Sequence, residues 1–269
     1  MFRQIALTIA GSDSSGGAGI QADLKTFGAH GVYGASVISA LTAQNTRGVQ
    51  GVHAVPAAFV ASQLASVLGD LDVRAAKTGM LADAAIIRAV VDGLAGVPAL
   101  PLVVDPVMVA TSGDLLLARE AIDTLRTALV PRALLLTPNL PEAAALLGEP
   151  IATDEDDARR QLSRLAALGA RAVLLKGGHG TGDEAVDLLA IDGRIVRLSA
   201  PRIPTRNTHG TGCTLAAAIT ARLAQGRDLE TAVRQAKAYV HAAIASGRDL
   251  GVGGGNGPVD HLVAGAWTA

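Results

Sequence analysis

The chain has 269 residues, enough for one large α/β domain or two small ones with a real core. Hydrophobic residues make up 49% and charged residues 17%, with a mean hydropathy of +0.36, which excludes intrinsic disorder. Lys plus Arg number 23 against 24 Asp plus Glu, and this net charge of −1 argues against a basic nucleic-acid-binding face.

Short apolar runs alternate with helical stretches along the chain. Residues 5–10 read as a strand, followed by a glycine-rich turn and a helix near 19–30. Residues 35–41 read as the next strand, and 56–68 as a helix with Pro56 near its first turn. A strand is expected at 73–77, a helix at 84–94, and an apolar strand at 102–104 ending at Asp105. Then come a helix at 115–128, a strand at 134–137 and a helical stretch at 142–147. Thr153 or Asp154 is expected to cap a helix running to Leu168, whose acidic first turn suits the helix dipole; Gly169 ends it. A strand at 172–175 ends at Lys176. Segments 185–191 and 194–199 flank Asp192-Gly193, a hairpin signal. Residues 212–224 and 229–246 read as two helices.

This alternation argues for a mostly parallel sheet covered on both faces, and the continuous apolar runs at 102–104 and 172–175 fit buried parallel strands. No linker or repeat divides the chain, so residues 1–269 are expected to form one domain. Residues 26–46 and 48–69 carry no charge, but their Gln, His and Pro56 favour a soluble core over a membrane span. A single cysteine, Cys213, makes no internal disulfide and suits a reducing compartment; the N-terminus has no signal-peptide shape, so a cytoplasmic location is expected. His30, His53, His179, His241 and His261 show no metal-ligand spacing. Trp267, the one tryptophan, reads as a packing anchor, and 251–257 as a flexible glycine-rich segment.

In parallel α/β sheets ligands bind beyond the carboxyl ends of the strands, so the residues after each strand matter most. Three glycine loops occupy such places. The first, 11–19, contains Gly17-Ala-Gly19-Ile-Gln-Ala22, the GxGxxA form of a dinucleotide fingerprint. The acidic residue that fingerprint needs is absent, since the second strand runs into Thr42-Ala-Gln44-Asn45; nor does any GxxxxGK[ST] occur in the chain. Asp13 and Asp23 make this a polar loop suited to a hydroxylated ligand. The second loop, 176–182, places Lys176 where it would reach a phosphate or form an ordinary surface turn. The third runs from Asn207 through Gly210-Thr-Gly212 into an Ala-rich helix, an arrangement whose free N–H groups bind anions. Cys213 lies in that first turn, where a helix N-terminus is expected to lower its pKa. His209 is expected to support the turn.

Together the segments 9–25, 40–45, 77–80, 104–108, 137–142, 175–179 and 208–215 resemble the ribokinase-like superfamily of small-molecule kinases. Within it the chain is most similar to the hydroxymethylpyrimidine/phosphomethylpyrimidine kinases of thiamin biosynthesis. The resemblance implies a three-layer α/β/α sandwich, ATP with Mg2+ as cofactors, and phosphorylation of 4-amino-5-hydroxymethyl-2-methylpyrimidine and then of its monophosphate. It implies that Asp23, Gln44 and Met80, with Gly11 and Val107 beside them, hold the pyrimidine. Asp105 and Glu142 would hold magnesium. Asn139, Thr208 and Lys176 would meet the nucleotide phosphates, and Gly210, Thr211 and Gly212 would form the anion hole. Many members of the superfamily carry Asp as base after GTG, where this chain has Cys213, as the pyrimidine branch does. Superfamily members often form dimers, which leaves a homodimer open. A pyridoxal kinase of the cysteine-containing type is the nearest alternative. A nicotinamide-dependent oxidoreductase, a thiol hydrolase built on Cys213 and His209, and a non-catalytic vitamin binder each leave part of this set unexplained.

Overall fold

The computed structural model of the chain describes residues 3–108, 119–178 and 182–263. Residues 115–118 of one expected helix, His179 with the middle of its glycine loop, and Trp267 lie outside them. The described strands are β1 (Ile5–Asp13), β2 (Tyr33–Asn45), β3 (Gly48–Ala54), β4 (Val73–Thr78), β5 (Leu102–Val104), β6 (Leu135–Leu136), β7 (Val173–Lys176), β8 (Glu184–Ile191) and β9 (Arg194–Pro201). The helices are α1 (Gly19–Ala29), α2 (Ala57–Asp70), α3 (Ala84–Gly93), α4 (Arg119–Thr124), α5 (Leu140–Leu147), α6 (Glu155–Ala166), α7 (Thr211–Ala224) and α8 (Leu229–Gly247).

The strands join in one sheet of order β3-β2-β1-β4-β5-β6-β7-β8-β9. From β2 to β7 all neighbours are parallel, while β3, β8 and β9 pair antiparallel at the two ends. Because β2 and β4 flank β1 on opposite sides, the chain reverses its direction of progress across the sheet at β1. That is where open α/β sheets form a ligand crevice. The β1–β2 register shifts between Ala10 and Ser12, so the bulge falls at the start of the first glycine loop and turns Asp13 toward the crevice side.

One core layer holds Val60, Leu64, Ile87, Val90, Leu129 and Leu162 from the helices α2 to α6 and the segment between α4 and α5. The other holds Phe27 of α1 and the small residues of α7, packed on Val233, Ala236 and Tyr239 of α8. With so few aromatics, alanines let α7 sit so close that Thr214 to Ala224 are all buried. Helix starts follow their sequence signals. Asp83, Asp154 and Asp228 accept backbone N–H bonds at N-caps, and Asp192-Gly193 turns the β8–β9 hairpin with both residues at positive φ. Strand β3 is the element the sequence does not announce: Gly-Val-Gln-Gly-Val-His-Ala is mostly exposed and lacks an apolar face. The uncharged stretches become β2, β3 and α2; no helix among the described residues is long and apolar enough to cross a membrane.

Candidate active site

A cavity of about 700 Å³ opens at the carboxyl ends of the parallel strands. Its walls include Gly11, Gln44, Met80 and Val107 on the β1–β5 side, and Asn139, Glu142 and Lys176 on the β6–β7 side. Asp105, at the end of β5, lies between them, and Thr208, Gly210, Thr211, Gly212 and Cys213 form the facing turn. Of the site residues that the resemblance implies, Asp23 alone is missing from this lining.

The anion-hole turn is built by close approach. Gly210 caps α7 with φ 80°, and a side chain there would collide with the Gly17 carbonyl of the first loop. Thr211 N donates to the Thr208 carbonyl at 3.2 Å, and Gly212 and Cys213 follow it along the cavity wall without a side-chain cap, at the positive end of a 14-residue helix. Opposite them stands Lys176. Its ammonium lies 2.8 Å from Asp105 Oδ1 and 3.8 Å from Glu142 Oε2. A side chain added to Gly212 would begin 3.3 Å from Lys176 Nζ and 3.8 Å from Asp105 Oδ2. Thr137 donates to the same Asp105 Oδ1 at 3.0 Å, which leaves Oδ2 turned toward the anion hole.

Asn139 and Glu142 have a second duty. Asn139 Oδ1 accepts from Glu142 N, and Glu142 Oε2 accepts from Asn139 N, both at 2.8 Å, forming a capping box that starts α5. The cap holds the carboxylate at the cavity wall. Burial, with Asp105 nearby, pushes the Glu142 pKa up to about 7, although Lys176 works in the opposite direction. Burial disfavours the Lys176 ammonium, but Asp105 and Glu142 outweigh it and raise its pKa above the ordinary lysine value. Two carboxylates thus share one fixed cation. That set fits a magnesium ion, which takes one or two carboxylates and otherwise keeps water and phosphate oxygens.

Two expectations need correction. Asp23 does not line the cavity: its side chain is fully buried, bonded to Lys77 Nζ at 2.9 and 3.0 Å and to Thr8 Oγ1 at 2.6 Å. Burial alone would strip Lys77 of its charge, but Asp23 holds it protonated. Cys213 does sit at N3 of α7 against the cavity, yet its thiol is not acidified. Burial pushes its pKa up to about 11, and the nearby Asp23 and Asp105 charges add to that, exceeding the help from Lys77 and from the Gly19 N–H. Desolvation outweighs the helix terminus here.

His209 supports its turn, as expected. Its Nε2 lies 2.8 Å from Asp13 Oδ2. Asp13 also accepts from the Gly17 and Ala18 N–H groups and from Ser15. Burial opposes its charge, but these bonds, His209 foremost, hold the carboxyl well below the usual range. The first loop's carboxylate is thus committed to organising the loop. Gln44 reaches the same histidine, Nε2 to Nε2, at 3.5 Å, and its Oε1 accepts from Thr42.

Sequence reasoning missed the far end of the cavity. Arg202 and Ile203 after β9, with Val240, His241 and Ile244 of α8, line a slot on the β9–α8 side of the cavity. Arg202 donates to the carbonyls of Gly178 and Gly182, joining the two described flanks of the second glycine loop. The cue available was position: a helix face and a strand exit facing the same crevice, without a motif of their own. Segment 251–257, by contrast, does not line this cavity.

Known proteins resemble the chain over nearly its whole length. A family model described as phosphomethylpyrimidine kinase matches residues 13–260. A hydroxymethylpyrimidine/phosphomethylpyrimidine kinase of Rhizobium meliloti is 57% identical, covering 96% of this chain and 97% of that protein. Among solved structures, an ADP complex of Bacillus subtilis pyridoxal kinase superposes with a TM-score of 0.90 at 37% identity, over 97% of this chain and 98% of that one. A phosphomethylpyrimidine kinase from Clostridium difficile superposes with a TM-score of 0.79 at 44% identity, over 90% of this chain and all (100%) of that one.

Proposed function

Because the chain belongs to the phosphomethylpyrimidine kinase family, we propose that its cavity carries an aminopyrimidine alcohol and ATP end to end. It is a kinase of thiamin biosynthesis. In this reading it phosphorylates 4-amino-5-hydroxymethyl-2-methylpyrimidine and then that monophosphate to the pyrophosphate. The observation that carries the assignment is the convergence of Lys176, Asp105 and Glu142 on the Gly210-Thr211-Gly212 turn, beside Cys213, within one cavity.

The pyrimidine lies between Gly11, Gln44, Met80 and Val107. The Gln44 amide both donates and accepts, which suits an aminopyrimidine's ring nitrogen and exocyclic amine. The nucleotide base occupies the slot at Ile203, Val240 and Ile244, and its phosphates run past Asn139 and Thr208 toward Lys176. Asp105 and Glu142 would hold magnesium, which would neutralise phosphate charge there. Lys176 and the amides of Gly210 to Cys213 absorb charge on the transferring group, and holding them in place beforehand is what lowers the barrier. Cys213 contacts the attacking hydroxyl. Because burial raises its pKa and keeps the thiol protonated, it orients that hydroxyl more than it removes a proton, and phosphoryl transfer draws little from a base.

The test is ADP release with MgATP on the pyrimidine alcohol, on its monophosphate and on pyridoxal in parallel. Turnover of both pyrimidines with weak pyridoxal activity is expected. Turnover of pyridoxal without the monophosphate would move the enzyme to vitamin B6 phosphorylation, the second reading that the Bacillus subtilis structure favours.

A further inference from the structure

The acceptor wall and the anion hole come from distant parts of the chain. Gln44 is the penultimate residue of β2, and Gly210 caps α7. Direct contact between them is the single 3.5 Å approach of Gln44 to His209. A second connection runs outside the cavity through the glycine-rich segment 253–259. At one end, Gly255 N donates to Thr46 Oγ1 at 3.1 Å and Asn256 N to the Thr46 carbonyl at 2.8 Å. Thr46 is two residues past Gln44, in the β2–β3 turn. At the other end, His209 N donates to the Gly257 carbonyl at 3.0 Å and Val259 N to the His209 carbonyl at 3.3 Å. Asn207 locks this end: it accepts from Gly257 N at 3.2 Å and donates to the carbonyls of Gly247, Arg248 and Leu250 at the end of α8. The fit is tight, because a side chain at Gly255 would collide with the Thr46 carbonyl.

We infer that segment 253–259 is a positioning strap, which sets the spacing between the Gln44 wall and the anion hole, and that Thr46, Asn207 and Gly255 tune acceptor binding without touching the acceptor. Among the described residues the strap's hydrogen bonds go to the turns that hold these two groups, while its Val259 end packs on Gly247 of α8. The slot of Ile203, Val240 and Ile244 meets the strap through packing on the last turn of α8 and not through its hydrogen bonds, so the larger effect falls on the acceptor. This inference rests on the kinase reading for its kinetic part alone; the mechanical coupling stands on the hydrogen bonds.

The experiment compares Gly255→Ala, Thr46→Val and Thr46→Ser in the full-length chain, by steady-state kinetics and by amide hydrogen exchange. Thr46→Val keeps the shape and removes the acceptor of the Gly255 bond; Thr46→Ser restores it. Gly255→Ala should raise the acceptor KM about fivefold or more and lower kcat, with KM for MgATP within about twofold of the parent. Thr46→Val should do the same by about threefold, and Thr46→Ser should revert it. In exchange, both disruptive variants should speed the amides of residues 205–211 as well as those of the strap. Faster exchange confined to the strap, or a lower Tm with unchanged kinetic constants, overturns the proposal. If the parent enzyme releases no ADP on any acceptor, the functional reading falls instead, and the exchange at 205–211 alone decides the strap.

Discussion

Two lysine–aspartate pairs stand at the ends of neighbouring parts of one sheet and have almost the same geometry. Lys77 on β4 meets Asp23 at 2.9 Å, and Lys176 on β7 meets Asp105 at 2.8 Å. Their surroundings differ. Both side chains of the first pair are 0% exposed, and the one carboxylate takes the Lys77 ammonium on both oxygens and the Thr8 hydroxyl as well. Lys176 keeps 13% exposure, faces two carboxylates and looks at the open start of a helix. The sealed pair has nothing left to offer a ligand. The open pair has surplus negative charge for a metal and an ammonium within reach of a phosphate. Access to the cavity and charge imbalance, not the ion pair itself, separate a structural pair from a chemical one.

The sharpest way to break this comparison is to remove each lysine. Lys77→Met should cost about 3–5 kcal/mol of stability, because it leaves Asp23 buried and uncompensated; urea unfolding measures it, and the Asp23→Asn, Lys77→Met double variant should recover part of the loss. Lys176→Ala should instead lower kcat about 10²–10³-fold, with a smaller unfolding shift than Lys77→Met, since its site is partly open. If both substitutions act mainly on stability, the distinction fails.

Cys213 borders both networks, and its substitution sharpens the assignment. Cys213→Ala should slow phosphorylation of the alcohol by about tenfold to a hundredfold, and that of the already anionic monophosphate less. Equal losses in the two steps would remove its role at the hydroxyl. Alkylation of the thiol in the parent should keep accelerating as pH rises past 9, as its raised pKa of about 11 requires.

The smallest effect concerns sealed histidines. Burial pushes His30 and His261 down to about 4, from an ordinary value of 6.5. Between pH 6.5 and 4 the unfolded chain binds protons that the folded chain refuses, so stability must fall as pH falls through that window. Each histidine contributes a slope of up to about 1.4 kcal/mol per pH unit. Removing one in His30→Gln should flatten the pH dependence of the urea midpoint in that window, with activity at neutral pH unaffected. His30 belongs to the sealed side, against Tyr239 and bonded to the Thr26 carbonyl.

Much of the fold was legible because its signals are local. The apolar run of β5, the Asp154 cap and the Asp192-Gly193 turn need no distant partner to be recognised. Strand β3 was hidden because it pairs at an exposed edge, where no core imposes an apolar alternation. In the site, glycine loops and strand ends pointed to the lining residues from Gly11 to Cys213. The slot was silent because Val240 and Ile244 look in sequence like any core-facing helix positions.

By itself the sequence determined the alternating α/β order, the strand ends that face the crevice, and the residue types needed for an anion hole with a cation opposite. At that level Asp13 and Asp23 read as one polar loop, and the resemblance gave Asp23 to the pyrimidine and Asp105 to magnesium. Only the tertiary structure assigned their partners, giving Asp13 to His209 across 196 positions, Asp23 to Lys77 across 54, and Asp105 to Lys176 across 71. The same long-range packing raised the Cys213 pKa that a helix start was expected to lower. The reason is physical: a charge's cost depends on what covers it and what pairs with it, and in this fold both are contributed by residues far away along the chain.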